Sequence, residues 1–182
     1  SKYTGAPALA AKAALRTGAD LVKILTSKEA KPVIQGYSEN LIVESYGNRF
    51  DENSVEQALE LEKWADTTLI GPGLTDFGEE AVKEFAEQAD NLVIDAEAIQ
   101  YLMGSSGNIF TPHSGEARVL AEESGSIKMF AQETDNLILL KGEKDKVFSG
   151  KEIFENETGN STMTVGGTGD VLAGIVASLN AQ

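Results

Sequence analysis

The sequence has no cysteine, one histidine and one tryptophan among its 182 residues. Without cysteine the chain forms no disulfide bond and no cysteine-ligated metal site, which fits a reducing compartment. It contains no run of about 18 apolar residues and no signal-peptide pattern. The expectation is therefore a cytoplasmic protein that does not enter a membrane.

Positive charge is also scarce, with 15 Lys and Arg against 29 Asp and Glu and a formal net charge of −14. This balance argues against a nucleic-acid surface and against binding to anionic lipid. A small molecule that carries phosphate would need a locally positive site. The length and the 41% hydrophobic content predict a single domain over residues 1–182.

Short apolar runs alternate with amphipathic segments along the chain, a rhythm typical of βαβ units. We expect an α/β fold with a central, mostly parallel sheet and helices on both faces. The apolar run after residue 170 predicts a buried helix. Strands are predicted at 20–25, 40–45, 67–73, 91–97, 108–113 and 136–142, an edge hairpin at 146–155, and helices at 7–18, 54–66, 79–90, near Ile99 and at 115–124.

Polar or glycine-rich signatures follow four of the predicted strands. They are Gly71-Pro72-Gly73, Asp95-Ala96-Glu97, Thr111-Pro112-His113 and Lys141-Gly142. Open parallel sheets bind ligands in the crevice outside the carboxyl ends of their strands. The signatures therefore predict a binding crevice at this edge of the sheet.

Each signature also has an ordinary structural interpretation. Residues 71–73 fit a tight turn, and Asp95 fits a helix cap. His113 has no cysteine partner and fits a structural role, while Glu116 complements a helix dipole in any case. Lys141 either extends its ammonium into solvent or neutralises a phosphate.

The stretch GGTGD places three glycines, Gly166, Gly167 and Gly169, before Asp170 at the start of the apolar run. Consecutive glycines before a helix free several backbone N–H groups to converge on an anion, and the helix dipole adds positive potential. An acid beside that site suits phosphoryl transfer, in which it takes a proton from an acceptor alcohol. A helix cap explains Asp170 alone but does not explain the glycines.

An ordered set of segments carries a resemblance to a known family: YTGAPALAAKAALRTGADLVKI, LIGPGL, LVIDAEAI, TPHSGEA, LLKG and GGTGDVLAGIVASL. The chain resembles the ADP- or ATP-dependent NAD(P)H-hydrate dehydratases, the carbohydrate-kinase-related branch of the ribokinase-like superfamily. The resemblance covers nearly the whole chain. It implies a ribokinase-like three-layer α/β/α domain in which a nucleotide phosphorylates the ring hydroxyl of hydrated NADH or NADPH, and phosphate then leaves.

The resemblance also implies the roles of individual residues. Asp170 would be the base, with Gly167, Thr168 and Gly169 as its catalytic anion hole. Mg²⁺ would accompany ADP or ATP, and Glu116 is the one candidate for a metal ligand. The nucleotide site would comprise Lys141, Gly142, Asn160, Gly166, Gly167, Thr168 and Gly169, and the hydrated cofactor would lie along Ala6, Gly73, Asp95, His113 and Asp170.

The sequence departs from the family pattern in three places. The family has a strand just before YTGAP, and the expectation is that this first strand is lacking, because the sequence given starts at Ser1. The family's GNPGMATGGTGD reads GNSTMTVGGTGD here, and the sequence ends at Gln182, early for the last helices. A small-molecule kinase and a non-catalytic nucleotide-binding scaffold remain as alternative functions. The resemblance also implies a homotetramer.

Overall fold

A computed structural model describes residues 4–182 of the chain. These residues form seven α-helices and eight strands, and short 3₁₀ helices occupy Ala96–Tyr101 and Ser161–Met163. The helices are α1 Gly5–Thr17, α2 Lys31–Gln35, α3 Glu52–Glu62, α4 Glu79–Gln88, α5 Ser114–Ser124, α6 Ile127–Thr134 and α7 Thr168–Asn180; the strands are β1 Lys23–Thr26, β2 Ile42–Ser45, β3 Thr68–Ile70, β4 Leu92–Ile94, β5 Ile109–Phe110, β6 Leu137–Leu140, β7 Asp145–Ser149 and β8 Glu152–Asn156.

The strands form two sheets. One contains six strands in the order β3-β4-β5-β6-β7-β8, and the other contains β1 and β2. Strands β3 to β6 are parallel, β7 and β8 continue the sheet as an antiparallel hairpin, and β1 pairs with β2 in parallel. The prediction of a mostly parallel sheet flanked by helices is confirmed.

Each sheet has its own hydrophobic core. The larger core lies on β4, β5 and β6, where Ile94, Phe110 and Ile138 are fully buried. The smaller core joins α1, α2 and the β1-β2 pair around Ile34. A cavity of about 570 Å³ lies between the two sheets, and all of β1 and β3 lines it.

Helices α1 and α7 pack directly on each other beside this cavity. A Cβ at Gly174 would overlap the carbonyl of Ala10, so glycine is needed for the two helices to approach so closely. The alanine-rich face of α1 is therefore buried within the chain, with Ala10 and Ala14 at 4% and 7% exposure. That face is not available for contact with a second copy.

Local signals explain where several helices begin and end. Asp51 caps α3 in a reciprocal capping box with Ser54. Gly18 ends α1 at a φ of 124°, a conformation that residues with a Cβ rarely adopt. Ser126 caps α6 by accepting the N–H of Met129.

Most predicted elements are present, and the differences have identifiable causes. The prediction of a buried last helix holds for part of α7: Ala173, Gly174 and Ser178 are buried, and most of its other residues are half-buried because the helix lies at the border of the cavity. Helices α2 and α6 are not among the predicted elements. No helix among residues 4–182 is long and apolar enough to span a membrane.

Candidate active site

The carboxyl ends of β4, β5 and β6 bring together three polar side chains. Asp95 follows β4, Thr111 follows β5 and Lys141 follows β6. Thr111 Oγ1 and Lys141 Nζ each lie 2.8 Å from Asp95 Oδ1. Adjacent parallel strands end at the same edge of a sheet, which places these residues within contact although 46 residues separate Asp95 from Lys141.

Asp95 is 2% exposed and makes no cap hydrogen bond to the 3₁₀ helix that follows it. The interpretation of Asp95 as a helix cap is therefore wrong. Both hydrogen bonds of its side chain end on Oδ1, and within residues 4–182 no hydrogen bond reaches Oδ2. A buried carboxylate is tolerated where a cation and a donor neutralise it, which is what Lys141 and Thr111 do here.

Lys141 connects this cluster with the start of α7. A Cβ at Gly169 would lie 3.4 Å from Lys141 Nζ, so the ammonium is next to the first turn of the helix. The Lys141 side chain is 18% exposed. Its ammonium therefore meets both a buried carboxylate and an open helix end.

The first turn of α7 is half-buried and has free donors. Gly167, the residue before the helix, adopts a φ of 94°. Within residues 4–182, the N–H groups of Gly167, Gly169 and Asp170 make no hydrogen bond, whereas Thr168 uses its N–H and its hydroxyl to contact the carbonyl of Val165. The open donors and the helix dipole make this turn suited to an anion.

Asp170 lies on that turn and does not act as its cap. Gly167 is the capping residue, and no side chain caps the helix. Burial raises the pKa of the Asp170 carboxyl above its usual range, the charge of Asp95 raises it further, and Lys141 opposes both effects. A carboxylate with a raised pKa is a stronger base when ionised, so Asp170 can take a proton from a ligand hydroxyl.

His113 begins α5 and lies beside Lys141. Its Nδ1 accepts the N–H groups of Gly115 and Glu116, at 2.9 and 3.2 Å. Glu116 Oε2 in turn accepts the N–H of His113 at 2.8 Å. Glu116 is therefore part of a capping box.

The other predicted site residues lie in different settings. Ala6 is in the first turn of α1, and Gly73 lines the cavity beside β3. Gly142 donates its N–H to Asp145 at 3.0 Å. Asn160 Oδ1 accepts the N–H and the hydroxyl of Thr162, both at 2.9 Å, on an exposed loop, and Gly166 has open space around its Cα.

The candidate site contains no cluster of metal ligands of its own, and it lies outside the large cavity. Among residues 4–182 no group of three or more His, Asp or Glu side chains could hold a metal ion, and Glu116 already contacts His113. The cavity of about 570 Å³ between the sheets is lined by Gly71 and Gly73 but not by Asp95, Lys141 or Asp170.

Sequence reasoning did not assign a role to Thr111. It is the first residue after a buried strand, and a threonine at that position does not by itself indicate a hydrogen bond to Asp95. Its hydroxyl is 0% exposed and donates to Asp95. A threonine that directly follows a buried strand, next to two other polar strand ends, was the available signal.

The family model for NAD(P)H-hydrate dehydratase matches residues 1–182 of the chain. A curated relative, the ADP-dependent (S)-NAD(P)H-hydrate dehydratase of Haloterrigena turkmenica, is 41% identical over 185 residues, which cover 100% of this chain and 72% of the relative.

Two solved structures have the same fold. A ribokinase-like superfamily protein from Enterococcus faecalis superposes with a TM-score of 0.85 and 27% identity, covering 100% of this chain and 68% of that one. The ADP/ATP-dependent NAD(P)H-hydrate dehydratase from Bacillus subtilis, co-crystallised with ATP and Mg²⁺, gives a TM-score of 0.75 and 25% identity over 99% of this chain and 69% of that one.

Proposed function

This chain belongs to the NAD(P)H-hydrate dehydratase family, and we propose that it uses ADP or ATP to dehydrate hydrated NADH and NADPH. The nucleotide transfers its terminal phosphoryl group to the ring hydroxyl. The C–O bond then breaks with departure of phosphate, and a proton leaves the adjacent ring carbon, which restores the double bond of the reduced nicotinamide. The observation that carries the proposal is the half-buried Asp170 carboxylate on the open first turn of α7, with Lys141 beside it.

Asp170 is the base of this reaction. Its carboxylate accepts the proton of the ring hydroxyl while the hydroxyl oxygen forms a bond to the terminal phosphorus of the nucleotide. The bond from that phosphorus to its bridging oxygen breaks, and AMP leaves from ADP, or ADP from ATP. The raised pKa of Asp170 supports this role, because the carboxylate gains more by accepting a proton than an exposed carboxylate would. General-base catalysis of this kind contributes about 10² to 10⁴ in rate.

The first turn of α7 holds the phosphoryl group in transfer. The N–H groups of Gly167 and Gly169 supply fixed donors, and the dipole of α7 adds positive potential. Thr168 supports the turn through its contacts with Val165. Lys141 adds the positive charge that a chain with a net charge of −14 must supply locally for a polyphosphate.

Mg²⁺ is proposed to arrive with the nucleotide. Mg²⁺ is commonly held by substrate phosphates, waters and one or two carboxylates rather than by a protein cage. The absence of a three-ligand cluster within residues 4–182 fits such a site, and Asp170 and Asp95 are the carboxylates next to the open turn. The ion supplies charge neutralisation to the transferred phosphoryl group.

The hydrated cofactor is proposed to lie along the strand ends, from Ala6 and Gly73 past Asp95 to His113. The Oδ2 of Asp95, which accepts no hydrogen bond within residues 4–182, and the exposed ring of His113 supply its polar contacts. Gly142, Asn160 and Gly166 border the nucleotide on the side of the exposed loop. These assignments follow the family resemblance residue by residue.

Incubation with hydrated NADH, Mg²⁺ and either ADP or ATP tests the proposal through the absorbance of reduced nicotinamide. We expect the absorbance to rise with at least one nucleotide, and Asp170→Asn to abolish most of the rise. The exposed Asp90, changed to Asn, is the matched control and should leave the rate unchanged. A stable phosphate ester without reduced nicotinamide would instead identify a kinase, and nucleotide binding without any turnover would identify a scaffold.

The assembly and location are also proposed. The family resemblance supports a homotetramer, and sedimentation at micromolar protein that shows only the 19.4 kDa species would contradict it. The lack of cysteine supports the cytoplasm, where thiols stay reduced.

A further inference from the structure

Thr111 stands between the two charged residues of the strand ends. It follows β5, and β5 lies between β4 and β6 in the sheet, the strands that Asp95 and Lys141 follow. Neighbouring strands lie about 4.8 Å apart, which puts the backbones of Asp95 and Lys141 about 10 Å apart. The side chains of these two residues therefore meet over the end of β5, at Thr111.

Backbone hydrogen bonds that continue the sheet fix the position of Thr111 on both sides. Its N–H donates to the carbonyl of Ile94 at 3.0 Å, and the N–H of Lys141 donates to the carbonyl of Pro112 at 2.8 Å. Thr111 is 0% exposed, and its branched Cβ restricts the side chain to few rotamers. Its hydroxyl is therefore a rigidly placed donor to Asp95.

Two donors share one oxygen of the Asp95 carboxylate. Thr111 Oγ1 and Lys141 Nζ each lie 2.8 Å from Oδ1, and within residues 4–182 no hydrogen bond reaches Oδ2. The χ2 torsion of an aspartate has no sharp intrinsic preference, so the Thr111 hydroxyl is what holds the carboxylate in this orientation. Without that hydroxyl the carboxylate can turn both oxygens towards the ammonium, because charge-assisted hydrogen bonds are the stronger ones.

The ammonium of Lys141 also lies next to the phosphate site. It carries three donors, and Asp95 Oδ1 is the one acceptor that it contacts within residues 4–182. A Cβ at Gly169 would lie 3.4 Å from Nζ, so the ammonium is within contact of the first turn of α7. A phosphate on that turn therefore competes with the Asp95 carboxylate for the same ammonium.

We propose that Thr111 is a positioning residue for nucleotide binding: its hydroxyl limits Asp95 to a single hydrogen bond with Lys141, which keeps the ammonium available to a phosphate on the first turn of α7. Thr111 itself is buried and acts through Asp95 and Lys141. That the anion is a nucleotide phosphate rests on the proposed function.

Titration with ADP and Mg²⁺ tests this role without turnover. Thr111→Val keeps the shape of the side chain and removes the donor, so the Kd for ADP should rise about tenfold, the equivalent of one hydrogen bond to a charged group. Thr111→Ser retains a hydroxyl and should keep an affinity close to that of the wild type. An unchanged Kd in Thr111→Val, or a Kd in Thr111→Ser as high as in Thr111→Val, would overturn the proposal.

A threonine at the opposite edge of the sheet provides the control. Thr134 ends α6, just before the amino end of β6, and donates its hydroxyl to the carbonyl of Phe130 at 2.7 Å. Thr134→Val also removes one hydroxyl hydrogen bond and should leave the Kd for ADP unchanged, with every variant measured well below its melting temperature. A Thr134→Val variant as weak as Thr111→Val would show that loss of stability alone weakens binding, and it would overturn the proposal.

A double-variant cycle measures whether Thr111 acts through Lys141. Lys141→Met removes the ammonium and keeps most of the apolar stem, so the addition of Thr111→Val should not raise the Kd for ADP any further. A further loss of affinity would show that Thr111 acts by another route and would overturn the proposal. Where Lys141→Met does not fold, the two single variants of Thr111 decide the outcome.

Turnover kinetics separate the role of Thr111 from the proposed function. Thr111→Val should raise the KM for the nucleotide, with little change in the KM for hydrated NADH or in kcat at saturating nucleotide, because Asp170 is intact. A fall in kcat without a change in the nucleotide KM would overturn the role of Thr111. A wild-type protein that binds ADP but forms no reduced nicotinamide would instead contradict the dehydratase proposal, and a raised Kd for ADP in Thr111→Val would still support the role of Thr111.

Discussion

The two sides of the candidate site are built in opposite ways. One side, the strand-end wall, consists of Asp95, Thr111 and Lys141. Thr111 and Lys141 both donate to Asp95; Asp95 and Thr111 are buried, and the Lys141 side chain is 18% exposed. The other side is the loop over 157–167, whose residues are exposed up to Gly166, together with the half-buried first turn of α7. Both sides meet at Gly169, next to the Lys141 ammonium.

This contrast separates two requirements of phosphoryl transfer. Charges must be fixed in place, and the ends of packed parallel strands do this because their backbones are held by the sheet. Backbone donors must stay open until a phosphate arrives, and an exposed glycine loop leaves them so. We therefore expect changes in the wall to cost stability as well as activity, and changes in the loop side to affect activity with little cost in stability.

Asp170→Asn should give the largest effect. Asn cannot accept the hydroxyl proton, so kcat should fall by about 10² to 10⁴. The fold should persist, because the carboxylate of Asp170 makes no hydrogen bond within residues 4–182. Turnover and thermal unfolding of the same variant check this, and retained turnover would show that the carboxylate is not the base.

The pH dependence of Asp170→Asn follows from the sign of the pKa shift. A raised pKa in the folded state means that ionised Asp170 opposes folding, so its contribution is favourable at acid pH and is lost as pH rises through the folded-state pKa. At neutral pH the Asn variant should melt no lower than the wild type. The acid limb of the wild-type rate should also lie above the ordinary range of an aspartate, and a limb within that range would contradict the assignment.

Lys141→Ala should have the next largest effect and should act on both properties. It leaves the buried Asp95 carboxylate with Thr111 as its partner, which should lower the free energy of unfolding by about 3 kcal/mol. Nucleotide use should weaken more than binding of the hydrated cofactor. Lys151→Ala, on an exposed turn, is the matched control, and equal losses for both ligands would argue against a role in phosphate binding.

Thr111→Val should give a smaller effect that is confined to the wall. The change removes the O–H donor to Asp95 Oδ1 and keeps the shape of the side chain, so stability should fall by about 1.5 kcal/mol. Denaturant unfolding measures this loss. A variant as stable as the wild type would show that Lys141 alone is enough to hold Asp95.

Asn160→Ala should give the smallest effect. Its carbonyl caps a single 3₁₀ turn on the exposed loop, so we expect a loss of about 0.5 kcal/mol. The KM for the nucleotide should rise while the melting temperature stays close to that of the wild type. A large loss of stability would contradict the distinction between the wall and the loop.

The sequence was informative wherever a feature is local. The sequence predicted the polar strand ends, the order of most helices and strands, and the helix that begins among the glycines before Asp170. Each of these depends on neighbouring residues. Helix α6 also had a local signal, with Ser126 before Ile127, Phe130 and Ala131 at helical spacing.

What could not be predicted depends on pairing over long distances along the chain. One oxygen of Asp95 accepts hydrogen bonds from both Thr111 and Lys141, and predicting this requires the register of three strands relative to one another. The choice of Nδ1 of His113 as a cap depends on a ring orientation that residue type does not specify. Helix α2 has five residues and contains Pro32, so periodicity has too few positions to reveal it.

The separation of the two sheets bears on how the protein behaves in concentrated solution. Within residues 4–182, β1 and β3 each have one neighbouring strand, so each has a free row of backbone donors and acceptors. Such edges recruit foreign strands and start aggregation when they face solvent. Here both edges border a cleft that α1 and α7 flank, and a net charge of −14 opposes non-specific association through long-range repulsion. Salt screens that repulsion. The resistance of the protein to aggregation should therefore depend on ionic strength more strongly than the folding stability that the buried core provides.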